Sequence, residues 1–426
     1  MIPELTTVAC RGRAAARLLL RLAPCAALVL GASGGCARDG TARSHTVRDS
    51  AGIQIAESVS PGWTQAEVWR VDTVPDLDVS GQDDERLFRP GSARLLVDGR
   101  LVFFNGGACE VHFYSSAGQS LTAVGRCGEG PGEFEENASV WPWRADSVLV
   151  VDRLTRVTVL ASDGSLGRVT RLPAFAEMPV AFIRGVLADG TLALTGLRDP
   201  GGPAGPGVEA AESSLGLLRA LDDTLQFLGT YPGPVFEYTE FNGRIGRNAL
   251  AFSSTTQFAA GGETVYVGFP DRYEIHAYGS DGMLRRIIRR PFAPVDVEQR
   301  DIDWLMERRL AQVEGADNQR MVRQAFRDLR HADAMPAFGP PTWPGGADGG
   351  PAMLVDAEGN LWVFVHYRPG EYRNDWTVFS AAGVWLGTVA LPDRLTPSQI
   401  AADQLIGSWV DDTGFVHVRR HRLIKP

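Results

Sequence analysis

Lysine is almost missing from this chain: Lys425 is the one lysine in 426 residues, and arginine carries the rest of the positive charge. We read that bias as genome composition rather than as special arginine chemistry. Acids outnumber bases, 51 to 42, for a net charge of −9, so the basic stripe that tracks phosphates is lacking and nucleic acid is a poor partner. Histidine is sparse. His45, His112, His276, His331, His366, His417 and His421 are scattered, and no pair has the short spacing of a zinc or iron site. There is no Gly-x-Ser-x-Gly elbow and no phosphate loop. No apolar run is long enough to span a bilayer as a helix. These absences leave no catalytic constellation in view, and a functional site has to be sought in how the chain is organised.

Residues 1–35 differ from the rest. Arg11, Arg13, Arg17 and Arg21 precede the short apolar stretch Leu22–Leu30 and the small residues Gly31-Ala32-Ser33-Gly34-Gly35. A basic region, a short apolar core and small residues make an export signal. The run resembles a bacterial lipoprotein signal, with Cys36 as the lipidated residue, although Ser33 stands where such signals usually have Leu. The expected layout is a signal over 1–35, a tether over 36–44 and a folded body over 45–424. The body would lie in the periplasm or on the cell surface, held to a membrane by the lipid anchor alone.

What the chain has in quantity is Gly and Pro, 48 and 26, spread along its length. Six times an apolar strand runs into a tight polar turn and back out as another strand. The turns are Asp98-Gly99, Ala145-Asp146, Asp189-Gly190, Gly261-Gly262, Glu358-Gly359 and Asp412-Thr413-Gly414. Such recurrence predicts an all-β, six-bladed β-propeller of four-stranded antiparallel blades. Five or seven blades also fit, since the third repeat is loose. The sixth repeat shows only two strands before the chain ends. The hairpin His45–Arg48 and Ile53–Ser58, around Asp49-Ser50-Ala51-Gly52, is expected to complete it, so that strands from both termini close the last blade and no edge is left exposed.

Cys109 and Cys127 flank the Ala117-Gly118 turn and face each other across that hairpin to within one residue. In an exported protein this spacing predicts a disulfide. The stretch Gly125-Arg126-Cys127-Gly128-Glu129-Gly130-Pro131-Gly132-Glu133-Phe134 resembles the blade junction of bacterial exported six-bladed, NHL-like β-propellers. Val47-Arg48-Asp49-Ser50-Ala51-Gly52-Ile53 resembles their opening. With the repeats, the resemblance covers roughly residues 45–424. It implies an exported or lipid-anchored propeller, most of whose relatives have no assigned reaction. The motif marks structure, and Glu129 and Glu133 are read as turn and cap residues.

In a four-stranded blade the loops from second to third strand share a face with the connections between blades. Three long insertions fall on that face: Asp199–Ser213, Pro232–Thr255 and Phe292–Gly350. The last has helical periodicity, with Ile302, Leu305, Met306, Leu310 and Val313 on one side of a first helix. Met321, Val322, Ala325, Phe326 and Leu329 share a side of a second helix, and Asp296 is the expected cap of the first. The pair would form a lid or simply pack on the blades. Asn105, Asp152, Arg153, Arg198, Asp199, Asp271, Arg272, His366, Tyr367 and Arg368 fall on the same rim. They form the candidate ligand-binding set, with salt bridges between blades as the plainer reading of each. The functional expectation is a non-catalytic binding or scaffold module for an envelope protein, peptide or glycan, without a cofactor. The alternative is a hydrolase or lyase of the lactonase type, using a divalent cation such as calcium in the central channel.

Overall fold

The tight turns need residues that accept a left-handed backbone, and they have them. Gly99 and Gly190 sit at φ 82° and 83°, and where the second turn lacks glycine, Ala145 and Asp146 take φ 52° and 59° themselves. A computed structural model describes residues 44–80, 87–152, 155–198, 205–221, 223–241, 243–327, 329–340, 350–371 and 373–426. The expected signal, Cys36 and most of the tether lie outside these residues, as do Arg153 and Asp199. No described helix is long and apolar enough to cross a membrane.

Among the described residues six sheets of four or more strands follow one another along the chain, antiparallel except for one parallel pair at the edge of the fourth, with one two-stranded ribbon besides. The first sheet is Pro90–Leu95, Leu101–Asn105, Glu110–Tyr114 and Ser120–Gly125, paired in that order. The second is Ser139–Pro142, Val148–Asp152, Arg156–Leu160 and Leu166–Arg171. Later sheets begin with Ala181–Val186, Gln257–Gly261, Met353–Val355 and Leu395–Ile400. Burial follows the order of strands within a sheet. Every residue of Leu101–Asn105 and of Val148–Asp152 is buried, whereas Leu166–Arg171 is almost wholly exposed. These inner strands carry sheets on both faces and are apolar up to their last residues, Asn105 and Asp152, while an outer strand needs only a solvated pleat.

The core divides into six clusters, each drawn from two consecutive sheets. Val102, Phe104, Val111 and Phe113 of the first sheet pack with Val140, Val148 and Leu160 of the second. Ile406 and Val418 of the sixth sheet pack with Leu101, Phe103 and Tyr114 of the first. The first strands also lie side by side in chain order, and Leu395–Ile400 adjoins Pro90–Leu95. Each fully buried Val, Leu or Phe contributes about 2 kcal/mol, so most of the stability resides between sheets rather than within them. The arrangement is consistent with an all-β propeller.

The amino-terminal hairpin does not complete the last sheet. His45–Ser50 and Ile53–Ser58 pair with each other, and Gln54–Glu57 run parallel to Arg286–Arg289 at the outer edge of the fourth sheet. The Gln54 side-chain carbonyl accepts from Arg286 at 2.7 Å, while Ile55 and Ala56 are buried. The chain then crosses the fifth sheet, where the Gly62 and Trp63 amides donate to the Trp385 and Leu386 carbonyls. Arg70–Val71 and Leu77–Ser80 finally pair with Val416–Ile424, the last strand. Charge explains the choice: Asp76 and Asp78 meet Arg420 and Arg419 at 2.9 and 2.8 Å. Leu395–Ile400, unread in the sequence because Pro397 and a bulge interrupt its pattern, supplies the missing first strand. The last sheet is thus built from both ends of the chain, but from a different amino-terminal segment than expected.

Cys109 and Cys127 are joined, with Cα atoms 4.9 Å apart. The register Glu110↔Gly125 and Val111↔Val124 brings them together. The junction beyond is held by polar contacts. Arg156 donates to the carbonyls of Glu129, Gly128 and Glu133 at 2.7, 3.2 and 2.8 Å. Its Nε also reaches buried Asp152 at 2.7 Å. Glu133 accepts from the Gly130 amide at 2.8 Å and from Arg126. At Gly125, φ 111°, a Cβ would sit 2.6 Å from the buried Phe134 ring, so glycine is required there.

Candidate functional site

The three long insertions meet: residues 207–212 of the first pair along the second, and Pro206 faces the same space as the other two. Pro232–Thr255, expected as a connection, is largely a hairpin: Gln226–Phe241 extends far beyond its sheet and turns back as Arg244–Ala249. Phe292–Gly350 contains the helices α1 (Gln299–Ala311) and α2 (Ala316–Ala325). The α1 cap is Glu298, whose amide donates to Asp301 at 2.8 Å. Asp296 is not the cap. It belongs to the short strand Val295–Asp296, paired with Ala334–Met335.

Between the hairpin and the helices lies a cavity of about 1380 Å³. Leu305 of α1 with Val313 beyond its end, and Met321, Val322 and Ala325 of α2 with Phe326 beyond it, line one side. All five periodic apolar positions read for the second helix thus border open space, whereas of the first helix's set only Leu305 and Val313 do. Of all residues in the two helices only Asp301 is buried, so the pair does not pack into the blades as a helix with a full core would. Opposite stand Glu237, Tyr238 and Ala249 of the hairpin, with Phe252 and Phe338 from the adjoining loops. Tyr238 is 5 % exposed, and its hydroxyl has no hydrogen-bond partner among the described residues. A buried hydroxyl of this kind costs on the order of 1–3 kcal/mol unless something pairs with it.

His366 and Tyr367 reach the same cavity from the fifth sheet. Burial pushes the His366 imidazole down to about 4, so it is neutral at physiological pH. Burial, followed by a 2.5 Å hydrogen bond to Asp375, raises the Tyr367 phenol. Arg368 turns away from the cavity and clamps the insertion. It donates to Asp301 at 2.7 Å, to Glu298 at 2.9 Å and to the Asp296 carbonyl at 3.1 Å.

The other candidate rim residues do not converge on this cavity. Asn105 is buried and accepts from the Phe88 amide at 2.8 Å. Asp152 is spent on Arg156 and the Glu135 amide. Arg198 is exposed at the end of its strand. Asp271 and Arg272 are exposed and pair with each other at 3.2 Å, and Arg272 also stacks over Phe269. His112 is buried, 3.0 Å from Glu110 and stacked on Phe103, and His276 lies 2.8 Å from Glu274. Among the described residues no three His, Cys, Asp or Glu side chains come together as a metal-ligand set. Tyr238, Trp304 and Phe252 escaped the sequence reading, because nothing in a single chain marks which face of an insertion borders space.

No protein-family model and no curated protein matches the sequence. Among solved structures, the chain is similar to a Bacteroides fragilis protein described as exported, at 12% identity and a TM-score of 0.46, over 87% of this chain and 98% of that one. It is similar to a member of the DUF4221 family from Bacteroides vulgatus at 11% identity and a TM-score of 0.45, over 85% and 100%. A virginiamycin B lyase from Staphylococcus aureus follows at 9% identity and a TM-score of 0.39, over 84% and 100%.

Proposed function

We propose that this chain is an exported, lipid-anchored, six-bladed β-propeller that binds an envelope partner in the cavity between its insertions, without catalysis. The ring reading is supported by the six inter-sheet core clusters, the last of which joins the sixth sheet to the first. The binding reading is carried by one observation: an apolar-lined cavity walled by helices that have little else to bury against. Of the partner classes in view, a peptide with apolar side chains suits such walls better than a glycan, which needs planar polar contacts. The cation-dependent hydrolase reading has no residue set to name among those described.

The test uses the full chain with the fluorescent dye Nile red as probe. Saturable binding is expected, displaced by a pool of apolar peptides and not by envelope oligosaccharides. Ala325→Trp, at an exposed position bordering the cavity, should abolish dye binding while leaving the thermal midpoint nearly unchanged. Unaltered dye binding in that variant would sink the assignment of the site.

A further inference from the structure

The strands that lie side by side around the centre have an unusual composition for an acidic protein. Pro90–Leu95, Ser139–Pro142, Ala181–Val186, Gln257–Gly261, Met353–Val355 and Leu395–Ile400 contain no Asp, Glu or Lys. Their charged residues are Arg94 and Arg184. The two stand at nearly one level. Arg94 pairs with Val102, the second residue of the next strand, and Gly185 pairs likewise with Ala193, with Arg184 as the bulged residue beside it. Trp141 on the intervening strand has the same position, opposite Leu149.

Neither arginine has a carboxylate partner among the described residues. Arg94 lies over the Trp141 ring at 4.5 Å and gives one hydrogen bond, to the Ala93 carbonyl at 2.9 Å. Arg184 lies over Phe182 at 5.7 Å, and its Nε donates to the Thr195 hydroxyl at 2.8 Å. A guanidinium has five donors, so most of this pair's capacity is unspent on the described residues. Crowding by the surrounding protein moves both below the usual arginine value, Arg94 to about 10, although the Arg184 side chain keeps access to solvent. Arg156 and Arg289, by contrast, meet acids, Asp152 and Glu274.

We propose that Arg94 and Arg184, with Trp141 between them, form a site inside the ring of first strands for a small multi-oxygen anion, a polycarboxylate or a phosphate. The planar forks match such oxygens in pairs, and the indole face holds one fork in place. The same wall is of the wrong sign for a divalent cation. This site is separate from the cavity above the rim and rests only on the ring reading.

Isothermal titration of the full chain with citrate and with inorganic phosphate, at constant ionic strength, tests it. One saturable site is expected. Binding of citrate alone assigns the carboxylate, and of phosphate alone the phosphate. Arg94→Gln and Arg184→Gln should each weaken it by about tenfold or more, and the double variant by less than the product of the two, because both hold one ligand. Arg184 is exposed, so its variant keeps the test usable if Arg94→Gln fails to fold. No saturable binding, or binding indifferent to both substitutions, overturns the site. The ring is tested apart from it by oxidising Ala93→Cys/Ser398→Cys, whose parent residues hydrogen-bond at 2.6 Å. A cross-link there leaves the anion result to stand alone; its failure removes ring and site together.

Discussion

The blade junction at Gly125–Phe134 and the helical insertion at Phe292–Gly350 handle polar groups in opposite ways. At the junction Arg156 answers three carbonyls and a buried carboxylate, Glu133 answers an amide and Arg126, and a disulfide closes the hairpin behind them. The insertion is tied to the blades by the Arg368 clamp and by Phe338, buried in the core between the fourth and fifth sheets, while its helices leave apolar side chains along a cavity where the Tyr238 hydroxyl has no partner among the described residues. A region that satisfies all its groups has little left for a ligand. A region that does not is where binding energy remains to be gained.

The difference can be broken at its strong end. Arg156→Met strands buried Asp152 and three junction carbonyls, and should cost about 3–5 kcal/mol in chemical denaturation. A loss under about 1 kcal/mol would mean the junction is not the fixed point described here. The cavity has a pH signature of intermediate size. His366 is neutral when folded, with a value near 4, against 6.5 as its ordinary value. The unfolded chain therefore binds more protons between those limits. Stability is fully present above pH 6.5 and falls as the pH drops toward 4. His366→Phe should flatten that segment of the stability curve, and an unchanged slope would contradict a buried imidazole. The smallest global effect is expected from Arg368→Gln. Its ion pairs are partly exposed and should be worth less than about 1 kcal/mol to the whole fold. Limited proteolysis near Gly315, between α1 and α2, should nonetheless accelerate several-fold. A large drop in the global midpoint instead would place the insertion inside the cooperative core.

Much of the architecture was legible because turn chemistry and alternation are local. Each of the six turns read from the sequence joins two paired strands in the structure. The cysteine pairing followed from one hairpin register. Errors came where the partner is distant. The amino-terminal hairpin has the pattern of a blade-closing pair, yet it joins the fourth sheet, and the acids that do select the last strand sit in the weakly patterned stretch around Asp76 and Asp78. Of the rim set, Asp271 and Arg272 pair with each other, Asn105, Asp152 and Arg368 bond to groups outside the set, and His366 and Tyr367 reach the cavity.

The sequence by itself determined the repeat, the turns, the disulfide and the apolar faces of two helices, since each depends on residues within one or two dozen positions of each other. Tertiary structure alone decided which sheet edge each terminus joins, which charges are spent in pairs, and that the insertions enclose a cavity instead of a core. Those outcomes depend on which surfaces meet across the fold, and the free energy of a contact belongs to both partners, hundreds of residues apart.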